Sequence, residues 1–159
     1  MTNDFSSTRA RRTTPRLAAW GAILSALLAT SVLRAQEGGY CSNATMRGTY
    51  VMAGTGTLFP QGGAPILIGL VGKVVYDGQG NGQVIQTASV GGVIYRQGTF
   101  TGTYSVNSDC TGSKTFTSST GQASHFDFVI TPDGRTITWI VTDAGQVLTG
   151  SAVRLDNRD

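Results

Sequence analysis

Few residues of this chain have an obvious capacity for chemistry. His125 is the single histidine, and Asp127 stands two positions on. In a β-strand, residues two apart project from one face about 7 Å apart at the Cα level, a spacing compatible with an acid–base pair. A solvated strand face carries the same pattern. A triad would also need a nucleophile, and no Gly-x-Ser-x-Gly elbow singles one out from the many serines and threonines. Asp77-Gly78-Gln79-Gly80-Asn81-Gly82 imitates the start of a calcium loop. It carries Gln79 at the third position, however, and Ala88 where the bidentate glutamate belongs, so it reads as a hairpin turn. Glu37 is the only glutamate, and apart from Asp109 and Asp127 the aspartates of the β region fall in turn sequences or at the C-terminus. Paired carboxylates for glycoside hydrolysis would need distant strands to bring Asp109 and Asp127 together. Asn43-Ala44-Thr45 spells a glycosylation sequon, which matters only in a host that glycosylates exported proteins. No catalytic residue, metal site or cofactor is assigned from these residues.

The elements that must position any site begin with an apolar, uncharged run over 17–33. A basic stretch precedes it, and Leu33-Arg34-Ala35 follows, ending on a small residue suited to signal peptidase. Residues 1–35 are therefore expected to be a signal peptide cleaved after Ala35, and 36–47 the N-terminal segment of the mature chain. The alternative is an uncleaved membrane anchor, since the run approaches the roughly 20 residues needed to cross a bilayer. Arg11-Arg12 lacks the apolar residues that complete a twin-arginine signal, and Cys41 is too far from Ala35 for lipid attachment. The leader also explains the charge. Arg9, Arg11, Arg12, Arg16 and Arg34 against Asp4 give +4 of a chain total of +3, leaving the mature part at −1. Without a basic face, a nucleic-acid partner is not expected.

Cys41 and Cys110 form an even pair in a chain bound for an oxidising compartment, periplasmic or extracellular, so a disulfide between them is expected, with two buried, unpaired thiols as the alternative. No histidine cluster offers them a metal. From residue 48 onward, alternating runs are broken by Gly, Asn and Asp at the spacing of an all-β domain, and no stretch has the period of an amphipathic helix. The predicted strands are 48–59, 66–76, 82–90, 93–100, 102–106, 114–119, 123–131, 136–142 and 146–154, with one or two boundaries being bulges inside longer strands. Asp133-Gly134 between Thr131 and Thr136 is a two-residue hairpin signal, and Asp143-Ala144-Gly145 marks another reversal. Hairpins in series predict an antiparallel up-and-down β-barrel of about eight strands over 48–154, with a tail over 155–159 and a β-sandwich as the alternative architecture.

Alternation assigns the faces. Phe126, Phe128 and Ile130 share one side of their strand and Ile137, Trp139 and Val141 one side of the next, so aromatic and β-branched residues face each other across that hairpin. Phe100 and Tyr104 share a side with Gly98 and Gly102, and glycine between aromatics fits a sharply bent barrel strand where a side chain would crowd the interior. These aromatics either fill the barrel or line a lumen with room for one small ligand.

Gly48-Thr49-Tyr50, the 76–82 loop with Tyr76, the run from Gly98 to Val106 continuing to Asp109-Cys110-Thr111-Gly112, and Phe126-Asp127-Phe128-Val129-Ile130 together resemble a group of exported bacterial proteins. That group is similar to the allene oxide cyclase barrel, a calycin-like eight-stranded fold related to dirigent proteins. The resemblance spans nearly all of the mature chain through turns and strand faces, so it implies a fold. None of the plant cyclase's catalytic residues matches a position here, and cyclase activity is not carried over. The expected function is a non-catalytic binding module for a small apolar or aromatic ligand, with Phe126, Phe128 and Trp139 as ligand-binding residues. One alternative is an envelope or surface protein working as a homo-oligomer through its Thr-rich outer face or an exposed strand edge. The other is a cyclase- or isomerase-like enzyme. Contact with a membrane is expected only through an uncleaved signal segment.

Overall fold

Period-two alternation buries one face of each strand, and the computed structural model, which describes residues 40–155, shows where those faces meet. Eight strands follow in order: β1 (Gly48–Leu58), β2 (Ile66–Tyr76), β3 (Asn81–Val90), β4 (Val93–Val106), β5 (Thr111–Ser118), β6 (Ala123–Ile130), β7 (Thr136–Val141) and β8 (Gln146–Arg154). Each pairs antiparallel with its successor, and β8 pairs back onto β1, closing an up-and-down barrel. Closure excludes the sandwich. The expected signal segment, its cleavage point, Glu37 and residues 156–159 of the tail lie outside the described residues. No helix among the described residues is long and apolar enough to cross a membrane.

Two details differ from the sequence expectation. The boundary between 93–100 and 102–106 lies inside one longer strand, β4, as the allowance for interior boundaries expects, but the irregularity is not there and lies earlier: the register against β3 shifts between Gln86 and Ala88, with Gln97 in the left-handed region at φ 52°. Alternation through Gly98-Thr99-Phe100 is unbroken, so the Gly and Phe there mark a face and not a strand end. The Asp133-Gly134 turn is longer than a two-residue hairpin. Thr131 N–H bonds to Thr136 O at 2.9 Å, Gly134 has φ 67°, and Asp133 Oδ1 accepts from Thr131 Oγ1 at 2.6 Å and Arg135 N at 3.0 Å. The carboxylate stabilises a four-residue loop.

The assigned faces are observed. Phe128 lies opposite Trp139, Ile130 opposite Ile137 and Phe126 opposite Val141. The glycines make room for them. A Cβ at Gly102 would sit 2.8 Å from Phe116 Cα, and one at Gly54 would sit 2.5 Å from Trp139 Cη2, so the indole occupies space that any larger residue on β1 would take.

One end of the barrel is filled. The segment before β1 forms a short 3-10 helix (Asn43–Met46) that drives Met46 wholly out of water beneath the strands. Burying that side chain stabilises the fold by roughly 2 kcal/mol. The Cys41–Cys110 disulfide, as expected, ties this segment to the β4–β5 turn. Asn43 Oδ1 accepts from Val106 N at 2.8 Å, and Tyr104 donates its hydroxyl to Asn43 O at 3.1 Å. Above this plug Tyr50, Tyr76 and Tyr104 stack edge to face, with centroids 5.6 and 5.0 Å apart. Arg154 seals the rim: its Nη2 donates to Thr45 O at 2.7 Å and Gly134 O at 2.6 Å, its Nε to the Tyr50 hydroxyl at 3.2 Å.

Candidate functional site

Toward the other end, the inward side chains stop meeting. The sheet encloses a cavity of about 470 Å³ walled by Leu70, Val84, Phe100, Phe126, Trp139 and Leu148. Polar residues, among them Gln86, Gln122, Ser124 and Gln146, ring its mouth, and Tyr76 and Lys114 stand at its inner end beside the tyrosine stack. An apolar wall with a few convergent polar groups is the usual constitution of a ligand site.

Lys114 is the residue that the sequence reading missed. In β5 it shares a face with Gly112 and Phe116, opposite Tyr104 on β4 and Phe126 on β6, and it is only 6 % exposed. Its Nζ donates to the Tyr76 hydroxyl at 3.2 Å. The faces of Tyr76, Phe116, Phe126, Phe128 and Trp139 surround it, with centroids 5.2 to 6.0 Å away. Those distances are within cation–π range. The titratable groups turned inward near it are the phenols of Tyr50, Tyr76 and Tyr104, with Tyr95 at the mouth, and no carboxylate lines the cavity. The rings favour the cation but do not replace a counter-charge, and burial pushes the Lys114 ammonium down to about 7. Burial pushes the Tyr76 phenol the other way, so it keeps its proton. A second donor in the wall, Trp139 Nε1, is buried without a hydrogen-bond partner. The cavity's inner end therefore holds the Lys114 amine and the Tyr76 hydroxyl and no carboxylate.

The three aromatics expected to hold ligand separate in depth. Phe126 and Trp139 line the cavity. Phe128 packs deeper, against Gly112, with 4 % exposure. Phe100 joins the wall, whereas Tyr104 belongs to the filled end. The interior is thus packed at one end and open at the other.

His125 and Asp127 both point outward from β6, away from the cavity. The partner of His125 is Asp143 in the β7–β8 turn: Nδ1 lies 2.6 Å from Asp143 Oδ1, and His125 N donates to Oδ2 at 2.8 Å. These bonds hold the Asp143 carboxyl below the usual carboxylate range. With the His125 side chain 55 % exposed, the pair is a surface contact of small energetic weight. Asp109 accepts from Thr111 N at 3.0 Å and Oγ1 at 2.7 Å, as an Asx turn does. Asp77 accepts from Asn81 Nδ2 at 2.7 Å, Asn81 N at 3.0 Å and Gln79 N at 2.7 Å; the Asn81 side-chain bond leads in holding its carboxyl down at about 2. The carboxylate of the calcium-like loop is committed to its turn. A larger concavity of about 620 Å³ lies over outward residues such as Val129, Thr138 and Ile140, but it is more open to solvent and holds Asp127 as its one charged group. The inner cavity concentrates the chemistry.

No family model matches the chain, and no curated protein does. Among solved structures it is similar to a redesigned β-barrel, mFAP1, bound to DFHBI, at 17% identity and TM-score 0.50, covering 70% of this chain and 97% of that one. It is likewise similar to a redesigned barrel, b11L5F_LGL, at 16% identity and TM-score 0.50, covering 72% of this chain and 95% of that one. At such identities the likeness is one of fold, and what it establishes is the closed antiparallel barrel.

Proposed function

We propose that the protein is an exported binding module that holds a small apolar or aromatic ligand in the open half of its barrel, within the group similar to the allene oxide cyclase barrel. The observation that carries this reading is the cavity of about 470 Å³, apolar in its walls and polar only at mouth and inner end. A packed barrel of this size would have no such space. The disulfide supports an oxidising compartment. The redesigned barrel mFAP1 holds DFHBI, so an aromatic guest is an appropriate first probe. The cyclase-like alternative loses its named residues, because His125 and Asp127 do not reach the cavity.

The test uses the full chain carrying Trp20→Phe, which leaves Trp139 as the sole indole. Titration with small neutral aromatics such as 3-phenylpropan-1-ol is expected to change Trp139 emission saturably. At a hundredfold excess over Kd it should also raise stability by about 2.7 kcal/mol. Ala88→Phe, which fills the cavity from β3, should abolish both effects while the fold is retained. Unchanged emission and melting across the ligand panel would overturn the reading.

One feature favours the oligomer alternative. Pairing with β5 begins only at Phe100, so the start of β4 overhangs with Val93, Ile94 and Tyr95 exposed. Such an edge is a template for pairing with another chain.

A further inference from the structure

We propose that Lys114 is a covalent ligand-capture site: its Nζ condenses with the carbonyl of a small apolar or aromatic aldehyde seated in the cavity, forming an imine. The inference rests on the binding reading above and names the class of ligand.

Three observations converge on it. Lys114 is 6 % exposed and lines the cavity together with Tyr76 of the tyrosine stack, so an aldehyde inside that cavity can meet its amine. It has no carboxylate partner among the lining residues, and its one hydrogen bond there is to a phenol. A buried lysine paired with Asp or Glu is held as an ammonium; this one is not, and burial favours its neutral, nucleophilic form. The Tyr76 hydroxyl, 3.2 Å from Nζ and accepting its hydrogen bond, keeps its own O–H to donate to an oxygen that must gain charge and leave.

In the reaction, the Nζ lone pair attacks the carbonyl carbon. A C–N bond forms as the C=O π pair moves onto oxygen, and one proton passes from the now cationic nitrogen to that oxygen through water, giving a neutral carbinolamine; the Tyr76 hydroxyl hydrogen-bonds the oxygen without giving up its own proton. The nitrogen lone pair then forms C=N as the C–O bond breaks, the hydroxyl taking a second proton from water and departing as H2O, and the iminium returns its remaining N–H proton to water to leave the imine. One amine and one aldehyde give one imine and one water, with no oxidant or reductant. The surrounding aromatic faces, 5.2 to 6.0 Å from Nζ, also accommodate the cationic iminium form without a counterion.

The chain has an internal control, because Lys73 is its only other lysine and is exposed on the outer face of β2. The full-length protein is incubated at neutral pH with 3-phenylpropanal and sodium cyanoborohydride, which reduces an imine to a stable secondary amine, and the adduct is located by peptide mass mapping. The expected result is a single adduct on Lys114, at least tenfold more abundant than on Lys73 or the α-amine, and suppressed by excess 3-phenylpropan-1-ol. Labelling of Lys73 at an equal level, or an adduct that the alcohol does not suppress, would overturn the proposal. If the alcohol binds by Trp139 fluorescence and Lys114 stays unlabelled, the covalent step fails and the binding reading stands. If the alcohol does not bind either, the binding reading fails with it.

Discussion

Replacing Lys114 by methionine is expected to stabilise the protein at pH 7 by about 2 to 3 kcal/mol and to remove most of the pH dependence of its stability at neutral to mildly alkaline pH. In the folded barrel the ammonium lacks a counter-charge and titrates at about 7, against an ordinary value of 10.5. Between those values the unfolded chain binds more protons than the folded one, so stability rises with pH across that window, and below about 7 the penalty is at its full size. From pH 6 to pH 9 the wild type should therefore gain about 3 kcal/mol relative to Lys114→Met. At pH 7 the lysine costs about 4 kcal/mol by the same linkage. Part of this is offset in the variant, because the Tyr76 hydroxyl loses its partner there. Urea denaturation of both proteins at pH 6, 7.5 and 9 reads the effect. A Lys114→Met variant that is less stable than wild type at pH 7, or two parallel pH profiles, would show that the amine is not held uncompensated in the barrel.

The second large effect belongs to the closed end. The Cys41–Cys110 bridge joins residues 69 apart in sequence, and on the chain-entropy model closing such a loop stabilises the fold by about 4 kcal/mol. In this barrel it also fixes the segment that carries the Met46 plug and the Asn43 contacts to β4. Cys41→Ser is expected to lose about 4 kcal/mol, read from the urea midpoint, with a larger denaturant slope because the unfolded chain is no longer crosslinked. A loss below about 1 kcal/mol would mean that the plug is held by its packing and hydrogen bonds without the covalent tie.

A lysine placed where its charge destabilises the fold is more readily understood as functional than structural, and that contrast marks what the sequence disclosed. Closure, strand order and facing aromatic pairs were legible because period-two alternation and glycine turns are local signals. Alternation alone puts Phe126 and Phe128 on one face. Lys114 was concealed by a boundary. With β5 expected to begin at residue 114, no face is assigned to the lysine, yet Gly112, Lys114 and Phe116 alternate, and an inward Phe116 requires an inward Lys114. His125 was matched to its sequence neighbour on the same face, whereas its partner Asp143 comes from the turn after β7. Pairing between loops is not encoded in spacing. The plug was missed for another reason: four residues of 3-10 helix have no period to detect, and Met46 is buried only because the barrel end exists to receive it. Depth along the barrel was equally invisible, so Phe126 and Phe128 read alike although one lines the cavity and the other packs beneath it.

That the open half of the barrel is a binding cavity is tested most directly by intermolecular NOEs from bound 3-phenylpropan-1-ol to assigned methyl groups. The predicted result is a set of contacts to Leu70, Val84 and Leu148, which face inward, with none to Val51, Val71 or Val153, which face solvent. Contacts confined to the outward methyls, or no contacts at all, would contradict it.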